Sequence, residues 1–281
     1  MSAINWYPGH MHTSMKEFVK TLARVDVVLE ILDARAPYAS SNPKIDEACK
    51  SRGRVLVKVL GKTDLADPSV TKKWIEHYQK GEKSKSFLVS DRRQNYAKLI
   101  RSFLGDGSSV KQSSDKIINL MIVGIPNVGK STFFNTLAQR KLAPVANIPA
   151  YTRRQQYTSL QKQNMQLVDT PGLLWPKINE ERVGYLLAAN KNIGHNAYCE
   201  EDVGYFVMDR LINDYPETIL KRYGIEIGMR DKIELLESIA IKKNFFCKGG
   251  NPALRKAATA LLNDYRSGRL GRISLERPFD L

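Results

Sequence analysis

Residues 124–131 read Gly-Ile-Pro-Asn-Val-Gly-Lys-Ser, which matches G-x-x-x-x-G-K-S. Residues in this spacing handle phosphate. Backbone N–H groups of such a loop turn inward on phosphate oxygens, and the helix behind it adds the positive end of its dipole. Asn127, Val128, Gly129, Lys130, Ser131 and Thr132 form the candidate cradle. Lys130 is suited to neutralise the outer phosphates and the charge that builds during transfer, and Ser131 offers a hydroxyl to Mg²⁺. A strongly apolar stretch, Lys116–Val123, precedes the loop and a helical pattern follows from Lys130. That context disfavours a chance glycine turn.

About forty residues later comes Asp169-Thr170-Pro171-Gly172, at the end of a short apolar run. Alone it would be an ordinary turn. Behind a phosphate loop, Asp169 can hold Mg²⁺ and the Gly172 N–H can sense a γ-phosphate. Thr152 lies between the two motifs and is the expected third Mg²⁺ ligand, with Thr158 as its competitor.

Gly61-Lys62-Thr63-Asp64 stands at the end of another apolar run and resembles N/T-K-x-D. An aspartate there accepts from the guanine N1–H and exocyclic amine, a donor pair that adenine lacks. The Lys62 stem packs along the base. Ser90, next to Asp91, is the candidate for backing the guanine. Gly61 departs from the pattern, because an asparagine there would tie the base loop to the phosphate loop.

These turns need a scaffold that gathers strand ends. Val25–Leu32 and Val55–Leu60 read as buried strands, Ser86–Val89 as a shorter one, and Pro68 opens a helix to about Lys80. Tyr96–Leu104 has a helical pattern. Residues 105–115 read as a connector, before Lys116–Val123 and the strand end at Gln166–Val168. Alternating strands and helices predict an α/β domain with a mostly parallel sheet. Beyond Pro176 the period becomes helical, in Val183–Leu187, Val203–Ile212, Ile233–Ile241 and Ala253–Tyr265. The expected organisation is an N-terminal segment 1–20, a nucleotide-binding domain 21–176 and a small helical domain 177–281. The base motif precedes the phosphate loop, the reverse of the usual order. A parallel sheet accepts this, since a ligand meets strand ends in space whatever order the chain visits them.

The 281 residues include 44 lysines and arginines against 29 acids, a net charge of +15. Such a chain attracts polyanions. Residues 1–176 carry net +13, 177–241 net −4 and 242–281 net +6. The uneven division predicts basic patches, with Arg92-Arg93, Arg153-Arg154, Lys242-Lys243, Arg255-Lys256, Arg266, Arg269 and Arg272 as phosphate contacts. Phe245-Phe246 suits base stacking or, more commonly for aromatics, the core. Cys49, Cys199 and Cys247 are widely spaced and predict reduced thiols without a zinc site. No run reaches membrane-spanning length, and residues 1–15 lack a leader's apolar core. A cytoplasmic monomer without membrane contact is expected.

Taken together, these residues resemble the circularly permuted GTPases of the YlqF/RbgA family. The likeness also includes Trp6-Tyr7-Pro8-Gly9-His10-Met11, Asp33-Ala34-Arg35-Ala36-Pro37, Leu174-Trp175-Pro176-Lys177 and Arg266-Ser267-Gly268-Arg269-Leu270-Gly271. The resemblance implies GTP and GDP as ligands, slow hydrolysis stimulated by the large ribosomal subunit, and contacts with that subunit's RNA. It implies a catalytic His10, since Leu173-Leu174 stands where Ras-like proteins have a water-orienting glutamine. RNA binding or a structural role for His10 stays open. Asn127 matches the asparagine of phosphate loops that admit K⁺, against a plain turn-stabilising role. Pro149-Ala150-Tyr151-Thr152 departs from the family's P-G-[IV]-T. Three function classes remain: a ribosome-assembly GTPase, an RNA-binding scaffold with a degenerate site, and a GTPase of tRNA modification or membrane transport. The permuted order disfavours the third.

Overall fold

The computed structural model describes residues 10–80, 85–88, 98–100, 117–138, 156–160, 165–169, 173 and 180–278. Among the described residues the strands are β1 (Val27–Asp33), β2 (Val55–Gly61), β3 (Lys85–Leu88), β4 (Ile118–Val123), β5 (Gln156–Leu160) and β6 (Met165–Asp169). They form one sheet in the order β3-β2-β1-β4-β6-β5. All neighbours run parallel except β5, which is antiparallel to β6. The expected α/β class with a mostly parallel sheet is what the chain adopts.

Every residue of β1 is buried, as a central strand covered on both faces requires. Val27, Leu29 and Ile31 face one way, with Val57, Val59, Leu120 and Ile122. Val28 faces the other, with Met121, Val123 and Val168. That second face is covered by α1 (His10–Leu22) through Phe18 and Leu22, and by α3 (Pro43–Ser51) through Ile45 and Cys49. Helix α3 starts on a proline, with the Asn42 carboxamide accepting from the Lys44 N–H at 3.0 Å, so one terminal donor is satisfied. Between β1 and α3, Pro37–Ser40 makes the short helix α2. After β2, α4 (Pro68–Lys80) packs Val70 and Trp74 against Leu32 and Leu60. Helix α5 (Lys130–Ala138) follows the phosphate loop.

The helical region consists of α6 (Glu181–Ala189), α7 (Glu200–Asp214), α8 (Pro216–Tyr223), α9 (Lys232–Lys242) and α10 (Leu254–Arg266). Helix α9 opens on a capping box between Asp231 and Glu234, which satisfies donors at both positions. Leu187, Val207, Leu211, Leu236, Leu261 and Leu262 belong to the same apolar cluster as Leu29, Ile31 and Val59. The helices are therefore joined to the sheet through a continuous core. Among the described residues, no helix is long and apolar enough to cross a membrane.

Two consequences bear on the site. Asp33 is in register with Gly61, and Ile122 with Asp169, so the ends of β1, β2, β4 and β6 share one edge, where α/β sheets bind ligands. Thr158 pairs with Leu167 in mid-strand, set back from that edge.

Candidate nucleotide site

The phosphate loop sits hard against the sheet. Gly124 has φ +143, and a Cβ built there would lie 2.5 Å from the Ile31 carbonyl oxygen, so only glycine fits. Asn127 adopts φ +61, a left-handed conformation that asparagine tolerates better than most residues. Lys130 is buried, and its Nζ donates to the Ile125 carbonyl at 2.8 Å, so the ammonium reaches back over the loop. The Phe133 N–H bonds the Gly129 carbonyl at 2.9 Å and starts the helix whose N-terminus faces the loop.

The base motif meets this loop directly. A Cβ on Gly61 would stand 2.7 Å from the Val128 carbonyl oxygen and 3.2 Å from Ile31 Cγ2. The sequence reads as a lost side-chain tie between the two loops; the structure brings them into backbone contact instead. We expect Gly61→Ala to force the loops apart, destabilising the fold by about 1–3 kcal/mol and weakening GDP binding. Unchanged melting and GDP titration would refute that packing.

Lys62 follows in the left-handed region, with φ +57. Its Nζ lies 3.2 Å from Asp33 Oδ2. Asp33 is completely buried, and it also accepts from Arg35 Nε at 2.9 Å and from Arg35 Nη2 at 2.8 Å. Burial alone would raise the Asp33 carboxyl, but Arg35 and Lys62 hold it well below the usual carboxylate range. Burial pushes Lys62 down to about 8, Asp33 opposing and Arg35 adding to the effect. Asp64 is exposed at the rim of the edge, open to a base.

The helical region closes on the site from outside. The Asn192 carboxamide, fully buried, donates to the Pro126 carbonyl at 2.8 Å, and Asn127 Nδ2 donates to the Lys191 carbonyl at 3.3 Å. The Arg35 guanidinium lies over the Tyr265 ring, 5.0 Å from its centroid, and the Tyr265 hydroxyl donates to Asn190 Oδ1 at 2.6 Å. Asp33, Arg35, Asn192 and Tyr265 had no site role in the sequence reading. A carboxylate and a guanidinium two residues apart at a strand end were the available signal for the first pair. Asn192 and Tyr265 left none, because their contacts span the chain.

Other expectations fare differently. Leu173, in the water-orienting position, is buried with Phe18, Val123 and Val168, and its N–H bonds the Gly124 carbonyl at 3.0 Å. It faces the core and no water. Of the arginines expected to contact RNA, Arg266 bonds the Ala188 and Ala189 carbonyls, Arg269 pairs with Asp264, and Arg272 bonds the Thr63 and Asp64 carbonyls. These guanidinium groups thus also bond within the fold, and Arg269 and Arg272 remain exposed. Lys242, Arg255 and Lys256 are exposed. Phe245 is partly buried against the core, whereas Phe246 is exposed beside its bridge to Pro252. Ser90, Thr152 and Gly172 lie outside the described residues, as do the side chains of His10 and Asp169.

A family model described as a 50S ribosome-binding GTPase matches residues 119–240. Ribosome biogenesis GTPase A of Bacillus licheniformis is 34% identical, over 99% of this chain and 99% of that protein. Its counterpart in Thermotoga maritima is 30% identical over 99% and 96%. The GNP-bound crystal structure of YlqF from T. maritima superimposes with a TM-score of 0.65 at 27% identity, covering 95% of this chain and 99% of that one. With the base loop and phosphate loop meeting in permuted order, and with full-length likeness at this level, the chain belongs to the ribosome biogenesis GTPase A (YlqF/RbgA) family.

Proposed function

We propose that this protein binds and hydrolyses GTP as an assembly factor for the large ribosomal subunit, and that the subunit stimulates its turnover. The observation that carries the reading is the contact of Gly61 with Val128. It joins a base loop and a phosphate loop that are 63 residues apart in the chain, at the one sheet edge where a nucleotide can touch both. The names borne by the full-length relatives supply the ribosomal part.

The roles follow from the chemistry. Lys62 and Asp64 read the guanine and Ser90 backs it. Asn127, Val128, Gly129, Lys130, Ser131 and Thr132 hold the phosphates, and Gly172 senses the third. The family's Mg²⁺ suits hard oxygen donors. Ser131, Thr152 and Asp169 are such a set, and the register puts Asp169 at the same edge as the phosphate loop. Bound there, Mg²⁺ would neutralise charge on the phosphates. Asn127 is the ligand for K⁺. With Leu173 buried, the water must be oriented by another group, and His10 fills that role.

The organisation 1–20, 21–176 and 177–281 fits this division of labour, the helical part carrying RNA contacts. Phe246 stands exposed near Lys242, Lys248, Arg255 and Lys256 in sequence, an arrangement suited to stacking with salt-sensitive phosphate contacts. We further propose that the protein works as a cytoplasmic monomer. The test is phosphate release from GTP with and without purified large subunits. Subunits should accelerate it at least tenfold, and an unaltered rate would overturn the proposed stimulation.

A further inference from the structure

The last described residues do something the nucleotide motifs do not require. After α10 the chain crosses back over the GTPase part and runs along the base loop. Arg272 Nε donates to the Asp64 carbonyl at 3.2 Å and Arg272 Nη2 to the Thr63 carbonyl at 3.3 Å. The Ile273 N–H donates to the Leu65 carbonyl at 3.0 Å. The Asp67 N–H donates to the Ser274 hydroxyl at 3.1 Å. Four of the five residues from Thr63 to Asp67 are thus held through their backbones by three consecutive residues about two hundred positions away.

The strap is itself fixed at its far end. The Leu275 N–H bonds the Arg35 carbonyl at 2.9 Å, and the Trp74 indole donates to the Glu276 carbonyl at 3.1 Å. The Glu276 carboxylate accepts from the Tyr38 N–H at 2.7 Å and the Ala39 N–H at 3.1 Å. Ile273, Ser274, Leu275 and Glu276 are all buried, whereas Arg272 is exposed. Buried, hydrogen-bonded backbone of this kind does not shift cheaply.

Why the base loop needs such support follows from two of its own features. Gly61 carries no side chain to anchor the loop, and Lys62 holds a left-handed conformation that costs free energy unless its surroundings enforce it. Readout by Asp64 is geometric: its carboxylate must meet two donors at once, and a displacement of an ångström forfeits most of the benefit. The strap grips the backbone at Asp64 and on both sides of it.

We infer that the carboxy-terminal strap is part of the guanine-recognition machinery, with Arg272 as a positioning residue that fixes Asp64 for specificity. This rests on the reading of Asp64 as the guanine-binding carboxylate. Arg272 touches no base. It acts through the carbonyls of Thr63 and Asp64, and it links the end of the helical region to the affinity of the site for its base.

The experiment compares the full-length protein with Arg272→Ala, Arg272→Lys and Asp64→Asn, by calorimetric titration with GDP, inosine diphosphate and xanthosine diphosphate. Inosine lacks the exocyclic amine, so the ratio of GDP to inosine diphosphate affinity reports the Asp64 contact and not the phosphates. Arg272→Ala should lower that ratio about fivefold, a loss on the scale of one or two exposed hydrogen bonds. Arg272→Lys should recover part of it, and melting should stay close to wild type. Asp64→Asn should lose GDP and gain xanthosine diphosphate, because an amide can donate to the xanthine 2-oxo group. If Asp64→Asn exchanges the preference but Arg272→Ala keeps the wild-type ratio, the strap proposal is wrong and the guanine reading stands. If Asp64→Asn leaves the preference unaltered, the guanine reading fails and the strap proposal fails with it. Ser274→Ala, which removes the acceptor for the Asp67 N–H, should act in the same direction as Arg272→Ala.

Discussion

Lys130→Ala is expected to lower GTP affinity at least a hundredfold and to reduce turnover by about 10²–10³, the usual cost of removing a preorganised charge from a phosphoryl-transfer site. Three features support so large an effect. The side chain lies at the first turn of α5, behind a loop whose N–H groups supply partial charges only. It is buried, so its charge is poorly screened and acts at low effective dielectric. Its ammonium donates to the Ile125 carbonyl, so it is held over the loop and loses little side-chain entropy on meeting phosphate. The fold should survive the change, because the loop remains fixed by Gly124 against Ile31 and by the Leu173 N–H. Titration with GTP and GDP, alongside a melting curve, separates the two effects. A variant that melts like wild type and still binds GTP within tenfold would show that Lys130 does not serve the phosphates.

Asp33→Ala is the second large effect, and it falls on stability. Asp33 balances two cations, and its pair with Arg35 is buried: Arg35 is 1% exposed and Asp33 itself 0%. Removing one member of a buried ionic group leaves an uncompensated charge and costs about 3–5 kcal/mol. Here the carboxylate serves both Arg35 and Lys62, so the upper part of that range is expected. The dependence on pH has a definite sign. A carboxyl held below its ordinary value stabilises the fold above the unfolded pKa, about 3.9, and that contribution is lost as the pH falls further. The difference in urea midpoint between wild type and Asp33→Ala should therefore be full at pH 7 and shrink as the medium is made strongly acid. Lys62 should respond as well. Asp33 is what opposes the effect of burial on Lys62, so without it Lys62 should shed its proton below pH 8. A variant as stable as wild type at pH 7 would show that the Arg35–Asp33–Lys62 group is not the closed charge system described here.

How much of this was legible in the sequence depends on how far each signal reaches. The phosphate loop announces itself because its glycines, lysine and serine lie within eight residues, directly behind an apolar strand. Helix α4 matches its expected limits, Pro68 to Lys80, because proline marks its start and the apolar period is regular. Strand β5 went unread. It is an antiparallel edge strand with polar Thr158 and Ser159 on display, and pairing alone makes it a strand. Helix α1 carries Met15, Phe18, Val19 and Leu22 at helical spacing, a short pattern submerged in a polar terminus.

The site divides the same way. Lys62 and Asp64 were named from type and spacing, but what holds them was not. The partners of their loop are Asp33, twenty-nine residues before Lys62, and Arg272, 208 residues from Asp64. No local rule links such positions. Arg266, Arg269 and Arg272 show what charge read without contacts leaves out. Basic composition suggests phosphate contacts and is silent on the carbonyls and the carboxylate that these guanidinium groups also bond. Gly61 shows the reverse. The missing asparagine reads as a defect until the neighbouring Val128 carbonyl is seen to occupy the space.

The central claim is that the two loops joined at this sheet edge turn over guanine nucleotide in response to the large ribosomal subunit. Phosphate release tests it most directly, with GTP and ATP compared at equal concentration, with and without purified large subunits. Slow release from GTP, at least tenfold faster with subunits, and negligible release from ATP in either condition is the result this account requires. Equal rates for GTP and ATP, or a GTP rate indifferent to the subunit, would contradict it.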